Sequence, residues 1–342
     1  MTNYVWGQQE TQLFFNLTPE TILDSIDDIG FKTTGRCLPL NSIENRVYEV
    51  EVDRPDSEVK SVSDNFIVTK FYRPGRWTKE QILDEHEFMN DLVEAEVPVI
   101  PPLKINGETL FEMKDHQLYY CVYEKRGGRN PEEMNEEQLE IMGRSLARIH
   151  NVGALKESKH RIKLTPESYG EANLKFLENS NFLFSDVREN YIQTANLIIN
   201  ESKELFKGIS TQRIHGDFHK GNIILRGDDS YFVDFDDMVT GPVVQDVWPV
   251  CTGDDEESLI DRGVFLEAYD SIRRFPHEQL KLIPCLRALR LIHFSAWIAK
   301  RWDDPSFKHT FSYFESPNYW YGQMGDLRTL YNKIMESKNP YT

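Results

Sequence analysis

Residues 215–222 read His-Gly-Asp-Phe-His-Lys-Gly-Asn, and residues 233–235 read Val-Asp-Phe. Between them Ile223-Ile224-Leu225, a Gly227-Asp228-Asp229-Ser230 turn and Tyr231–Phe235 have the pattern of a short β-hairpin. Asp217 and Asn222 therefore share one loop. Asp234 is expected on the return strand, where it can swing back toward Asn222. Phosphoryl transfer asks for a carboxylate to orient and deprotonate a hydroxyl, and for oxygen ligands that hold Mg²⁺ on nucleotide phosphates. Gly216-Asp217 alone reads equally well as a turn, and Asn222 alone as a strand cap. The three together point to a metal–phosphate site.

Such a site also needs a cation. Lys70 lies in Phe66-Ile67-Val68-Thr69-Lys70-Phe71-Tyr72, where a period of two puts it on one face with Phe66, Val68 and Tyr72. A lysine on a strand is ordinarily a solvated edge group. Among large apolar neighbours it should point into a cleft and need a partner. The next helix, Thr78 to Glu94 with a Thr78/Gln81 capping box, offers one. Ile82, Met89, Leu92 and Val93 define its buried stripe; Glu85 falls inside it, Asp84 and Glu87 outside. The alternative for Glu85 is an edge carboxylate reaching water. Neither G-x-x-x-x-G-K-[ST] nor G-x-G-x-x-G occurs. In place of a glycine loop stands Leu40–Arg46. Its Asn and Ser side chains and turn amides can cradle phosphate, which makes Ser42 and Asn45 candidates, although the segment alone reads as an ordinary turn. No hydrolase elbow, zincin helix or EF-hand pattern is present.

The rest of the chain frames these residues. A length of 342 with 39% apolar and 28% charged residues accommodates two lobes with real cores. The net charge of −17 disfavours a general nucleic-acid binder. Cys37, Cys121, Cys251 and Cys285 lack metal-like spacing and read as reduced, buried thiols. The first residues have no basic, apolar leader pattern, and no apolar stretch approaches the ~20 residues of a membrane span. The expectation is a cytoplasmic, monomeric protein without nucleic-acid or membrane partners. A first helix should start at Thr18-Pro19 and close at Gly30, with Ile22, Ile26 and Ile29 on one face. Strands are expected at 46–52, 65–72 and 117–123, then a polar Glu124–Arg129 hinge. Helical periods follow: Leu139, Met142, Leu146 and Ile149 before His150, and an all-round apolar helix over 285–302. Asp254-Asp255-Glu256-Glu257 reads as a solvated acidic loop.

The combination H-G-D-x-H-x-x-N and V-D-x-D resembles the aminoglycoside phosphotransferase and choline kinase superfamily. The segments PLNSIENRVYEV (39–50), VTKFYRPGRWTKEQILDEHEF (68–88), RIHGDFHKGNIILR (213–226), VDFDDMVTGPVVQDVW (233–248) and LRALRLIHFSAWIAKRWDDPSF (286–307) are most similar to its bacterial stress response kinase branch. The resemblance implies an α+β, bilobal protein-kinase-like fold. The layout would be an N-lobe over 1–123, a hinge at 124–129 and a mainly helical C-lobe over 130–342 carrying the hairpin. It implies a cytoplasmic, ATP- and Mg²⁺-dependent serine/threonine kinase. Asp217 matches the family's proton acceptor, Asn222 and Asp234 its metal ligands, and Ser42 its nucleotide loop. Asn45, Lys70 and Glu85 join Ser42 as candidates for the nucleotide, with Val122 and Glu124 at the hinge. Asp246 matches an Asp that anchors the site at a helix start. The segment 53–64 is longer and more polar than the family pattern. Two other readings share the fold: a small-molecule kinase (aminoglycoside, choline or homoserine) and a non-catalytic nucleotide-binding scaffold. The intact Asp217, Asn222 and Asp234 speak against the scaffold.

Overall fold

The computed structural model describes Phe14 and residues 17–338, apart from 56, 58, 60, 114, 116 and 228. In chain order the helices are α1 (Pro19–Asp28), α2 (Lys79–Glu94), α3 (Glu136–Gly153), α4 (Ala172–Glu178), α5 (Ser185–Leu205), α6 (Glu256–Asp270), α7 (Ile283–Lys300), α8 (Pro305–Thr310) and α9 (Pro317–Lys338). The strands are β1 (Thr33–Pro39), β2 (Arg46–Val52), β3 (Phe66–Phe71), β4 (Phe111–Met113), β5 (Leu118–Glu124), β6 (Gln212–Ile214), β7 (Ile223–Arg226), β8 (Asp229–Phe232) and β9 (Val239–Gly241). They fall into two compact units: Met1–Glu132 with Lys220–Asp236, and Glu133–His219 with Asp237–Thr342.

In the first unit α1 starts where expected. The Thr18 side chain accepts from the Thr21 N–H, Pro19 takes the first turn, and Gly30 follows with φ +107°. Five antiparallel strands form a sheet in the order β1-β2-β3-β5-β4. One face packs Val50, Val52, Ile67, Phe71, Tyr120 and Val122 against Ile22 and Ile26 of α1. Strand β1 was not foreseen, because it is a mostly exposed strand whose Thr-Thr-Gly-Arg start shows no apolar alternation. Period 2 turns Lys70 and Tyr72 away from Phe71, toward Glu85 and His86 of α2. The Thr78/Gln81 capping box of α2 forms as expected. Ile82, Glu85, Met89 and Leu92 are buried as expected, and the buried arc extends over Asp84, His86 and Phe88. Asp84, expected outside the stripe, is therefore inside it, and Val93, expected inside, is exposed.

The hairpin β7–β8 clusters with this unit, whereas the sequence reading counted it with the C-terminal part. The reason is local. Arg129 and Leu225 exchange two backbone hydrogen bonds of 2.8 and 3.0 Å, and the Asn130 amide donates to the carbonyls of Gly221 and Ile223. Gly128 lies so close that a Cβ there would meet Ile224 at 2.4 Å. The hairpin is also shorter than expected: Asp229 and Ser230 belong to β8, which ends at Phe232. The expected turn residue Asp228 and much of the 53–64 segment's middle (56, 58 and 60) lie outside the described residues.

In the second unit Leu139, Met142, Leu146 and Ile149 line the buried face of α3. Helix α7 is the apolar core helix, packed against α4, α5 and α9. With the turn before it, His277–Lys300 is long and apolar enough by length and composition to cross a membrane, with mean hydropathy 1.3. This corrects the expectation that no such stretch exists; within the unit most of its apolar residues are covered by neighbouring helices. The acidic stretch is solvent-exposed as expected, but its second half is the start of a helix rather than loop. Asp255 caps α6 with Glu256 and Glu257 in its first turn, and Asp254 pairs with Arg287 and Lys333.

Candidate active site

The candidate residues fall in both units, and each unit positions its own set. In the first unit the Lys70 ammonium is buried between carboxylates. It lies 3.2 Å from Glu85 Oε1 and 3.7 Å from both Asp234 Oδ1 and Asp236 Oδ1. Burial opposes its charge, but Glu85, Tyr123, Asp236 and Asp234 outweigh it and hold Lys70 well above the usual lysine range. Asp234 is the open member, with 56% of its side chain exposed where Glu85 has none. It stands beyond β8, not on the return strand, in a left-handed backbone conformation with φ +60°. The Val233 N–H donates to the Asn222 carbonyl at 3.0 Å, which sets the residue before Asp234 beside Asn222. An amide oxygen and an exposed carboxylate are hard donors suited to Mg²⁺, which takes one or two protein ligands and completes its shell with phosphate and water. The donor set fits that ion.

The loop after β1 is tied to the same place. Asn45 donates to Asp236 at 3.1 Å and accepts from the Arg73 N–H. Arg76 also donates to Asp236, and Arg73 donates to the Glu44 and Ile43 carbonyls. Ser42 sits half-buried three residues before Asn45. Val122 and Glu124 are not brought to this cluster. The Val122 side chain is in the core against α1 and its carbonyl accepts from Leu103, while Glu124 accepts from Arg54.

In the second unit β6 and β9 pair and flank the loop that begins at His215. Gly216 has φ +86°, and a Cβ there would lie 2.0 Å from the Asp237 carbonyl oxygen, so only glycine fits. Buried Asp246 accepts from the His215 and Gly216 N–H groups at 2.7 and 2.8 Å, and lies 3.2 Å from His150 Nε2. Gln245 donates to the Gly216 carbonyl. Asp217 is thus carried on an immobilised backbone. Its Oδ1 accepts from Arg290 at 2.7 Å and its Oδ2 lies 3.2 Å from His219 Nε2. Burial pushes the Asp217 carboxyl up, yet His219 and Arg290 reverse this and hold it well below the usual carboxylate range.

Sequence reasoning did not single out Asp236, Arg73, Arg76 or Arg290. A second Asp two positions after Asp234 and the Arg-Pro-Gly-Arg turn after Lys70 were the available signals for the first three.

Residues 36–306 match the model of the phosphotransferase enzyme family. The chain belongs to this family. The phosphotransferase is 37% identical over 312 residues to stress response kinase A of Escherichia coli K12, covering 91% of each chain. It is 36% identical, with the same coverage, to a protein of Salmonella typhimurium LT2 named serine/threonine protein kinase RdoA. Among solved structures, an amicoumacin kinase complexed with AMP-PNP, Ca²⁺ and Ami superposes with a TM-score of 0.73 at 18% identity, covering 95% of this chain and 96% of that one. The expected fold class, protein-kinase-like with a β-rich N-terminal and a helical C-terminal part, is the one found.

Proposed function

We propose that this phosphotransferase is an ATP- and Mg²⁺-dependent kinase that phosphorylates serine or threonine hydroxyls of proteins in a bacterial stress response. The observation that carries the nucleotide part is the buried Lys70 ammonium, fixed by Glu85 at 3.2 Å and facing Asp234 at 3.7 Å. A cation so placed pairs with phosphate oxygens, and Glu85 keeps it from collapsing onto the metal-binding carboxylate. Asn222 and Asp234 would hold the divalent ion, which neutralises developing charge on the phosphates when bound. Asp217 orients the acceptor hydroxyl and takes its proton. Ser42 and Asn45, on the loop after β1, would contribute to holding the phosphates. The protein acceptor and the stress role rest on the names of relatives that are 36–37% identical over 91% of their length.

The test is purified protein with [γ-³²P]ATP and Mg²⁺, offered itself, generic basic proteins, aminoglycosides, choline and homoserine. Label on Ser or Thr of a protein is expected. Label on a small molecule alone would replace the acceptor class, and label nowhere would favour a nucleotide-binding scaffold.

A further inference from the structure

Asp217 is held from outside its own loop. Arg290, on α7, donates to its Oδ1 at 2.7 Å, and the guanidinium lies over the Trp248 ring, 5.8 Å from its centroid. The Trp248 indole N–H donates to Gln245, whose amide donates to the Gly216 carbonyl one residue before Asp217. The Arg290 side chain and the loop backbone therefore belong to one network that converges on one carboxylate.

We propose that Arg290 is a positioning residue for phosphoryl transfer, holding the Asp217 carboxylate ionised and in a single orientation for the acceptor hydroxyl. The inference rests on the reading of Asp217 as proton acceptor. Only 19% of the Asp217 side chain is exposed, and burial favours the neutral acid, which cannot take a proton. Facing it are Arg290 from α7 and His219 from its own loop, while His215 Nδ1 accepts from the Asp217 backbone N–H; Asp237 and Tyr169 face the Arg290 guanidinium. His219 compensates the carboxylate only while it is protonated. Arginine stays charged throughout. Arg290 Nη2 donates to Oδ1, and a carboxylate oxygen has two acceptor positions, so this bond does not by itself exclude the acceptor O–H.

The experiment compares wild type, Arg290→Met, Arg290→Lys and Asp217→Asn. Turnover of [γ-³²P]ATP is followed both to a labelled protein acceptor and to water. In parallel, ¹³C-carboxylate NMR titration of Asp217, assigned by difference from Asp217→Asn, needs no turnover. Arg290→Met should lower kcat by about tenfold or more with KM for ATP within about twofold, the ordinary size of a general-base positioning effect. It should also move the Asp217 titration and the acid limb of kcat upward by about one pH unit. Arg290→Lys should recover most of the kcat and of the shift. An unmoved titration in Arg290→Met, or a kcat loss equal at every pH that Lys does not rescue, overturns the inference. Near-normal turnover in Asp217→Asn overturns the reading of Asp217 instead.

Discussion

Asn45 donates a 3.1 Å hydrogen bond to Asp236, although 191 positions separate them in the chain. Asp236 stands two residues beyond Asp234, so the loop after β1 and the segment that carries the exposed carboxylate are fixed to each other. Arg76 donates to the same carboxylate, and Lys70 lies 3.7 Å from it. Asp236→Asn removes the charge that balances two buried cations. The expected result is a stability loss of about 3–5 kcal/mol, as for one partner of a buried ion pair. KM for ATP should rise more than kcat falls, because the nucleotide-facing groups lose their common anchor. Denaturant unfolding and steady-state kinetics measure both, and a variant with wild-type stability would show that Asp236 is no hub.

Lys70 and Glu85 should be energetically coupled. Glu85→Gln and Lys70→Met each leave one buried charge poorly compensated, and each should depress kcat/KM for ATP. The double variant should lose much less than the sum of the two. Glu87→Gln, on the exposed side of α2, is the control and should be nearly silent. Asp84 cannot serve as one, since it is buried in the same helix face. Additive losses would mean that Lys70 depends on Asp234 and Asp236 more than on Glu85.

The pairing of Lys70 with Glu85 was legible because both periods, 2 along β3 and 3.6 along α2, are local and count residues. The caps at Thr18 and Thr78 were legible in the same way, each being a side chain three residues from its partner. Asp236 escaped notice because its partners Asn45 and Arg76 come from distant loops with no period to count. Arg290 escaped for a different reason: on a mostly apolar helix an arginine reads as a solvated interruption, and only the tertiary fold brings this one to Asp217. The left-handed backbone at Asp234 was equally hidden, since alternation continued the strand pattern to Phe235 while the chain turned after Phe232.

Asp234→Ala should weaken nucleotide binding only where the divalent ion takes part. With Mg²⁺ present, the Kd for ATP should rise about tenfold or more and turnover should be lost; in EDTA the variant and wild type should bind nucleotide alike. The carboxylate is more than half exposed, so the fold should tolerate its removal. Relief of φ +60° strain does not follow from the change, because alanine adopts that conformation no more readily than aspartate. Isothermal titration with and without Mg²⁺ checks the outcome. Equal losses under both conditions would assign Asp234 to holding Lys70 in place of the metal.

His150 gives the second unit a defined acid sensitivity. It is fully buried, with Nδ1 2.9 Å from the Tyr269 hydroxyl and Nε2 3.2 Å from Asp246 Oδ2. The neutral tautomer with its proton on Nε2 satisfies both, donating to Asp246 and accepting from Tyr269. Burial lowers its pKa below the usual histidine value despite the pull of Asp246, with Arg273 and His215 acting in the same direction as burial. In the unfolded chain the group titrates near its ordinary value, about 6.5. As pH falls below that value the unfolded state takes up the proton first, so the stability contributed by neutral His150 is fully present above about pH 6.5 and lost progressively below it. The wild-type Tm should accordingly decline between about pH 6.5 and 5. His150→Gln should start lower, having lost a buried partner, but decline less steeply across that window. Because Asp246 also fixes the His215 and Gly216 N–H groups, the same variant should lower kcat more than it changes KM for ATP. Parallel Tm–pH curves for the two proteins would show that His150 does not set the acid limb of stability.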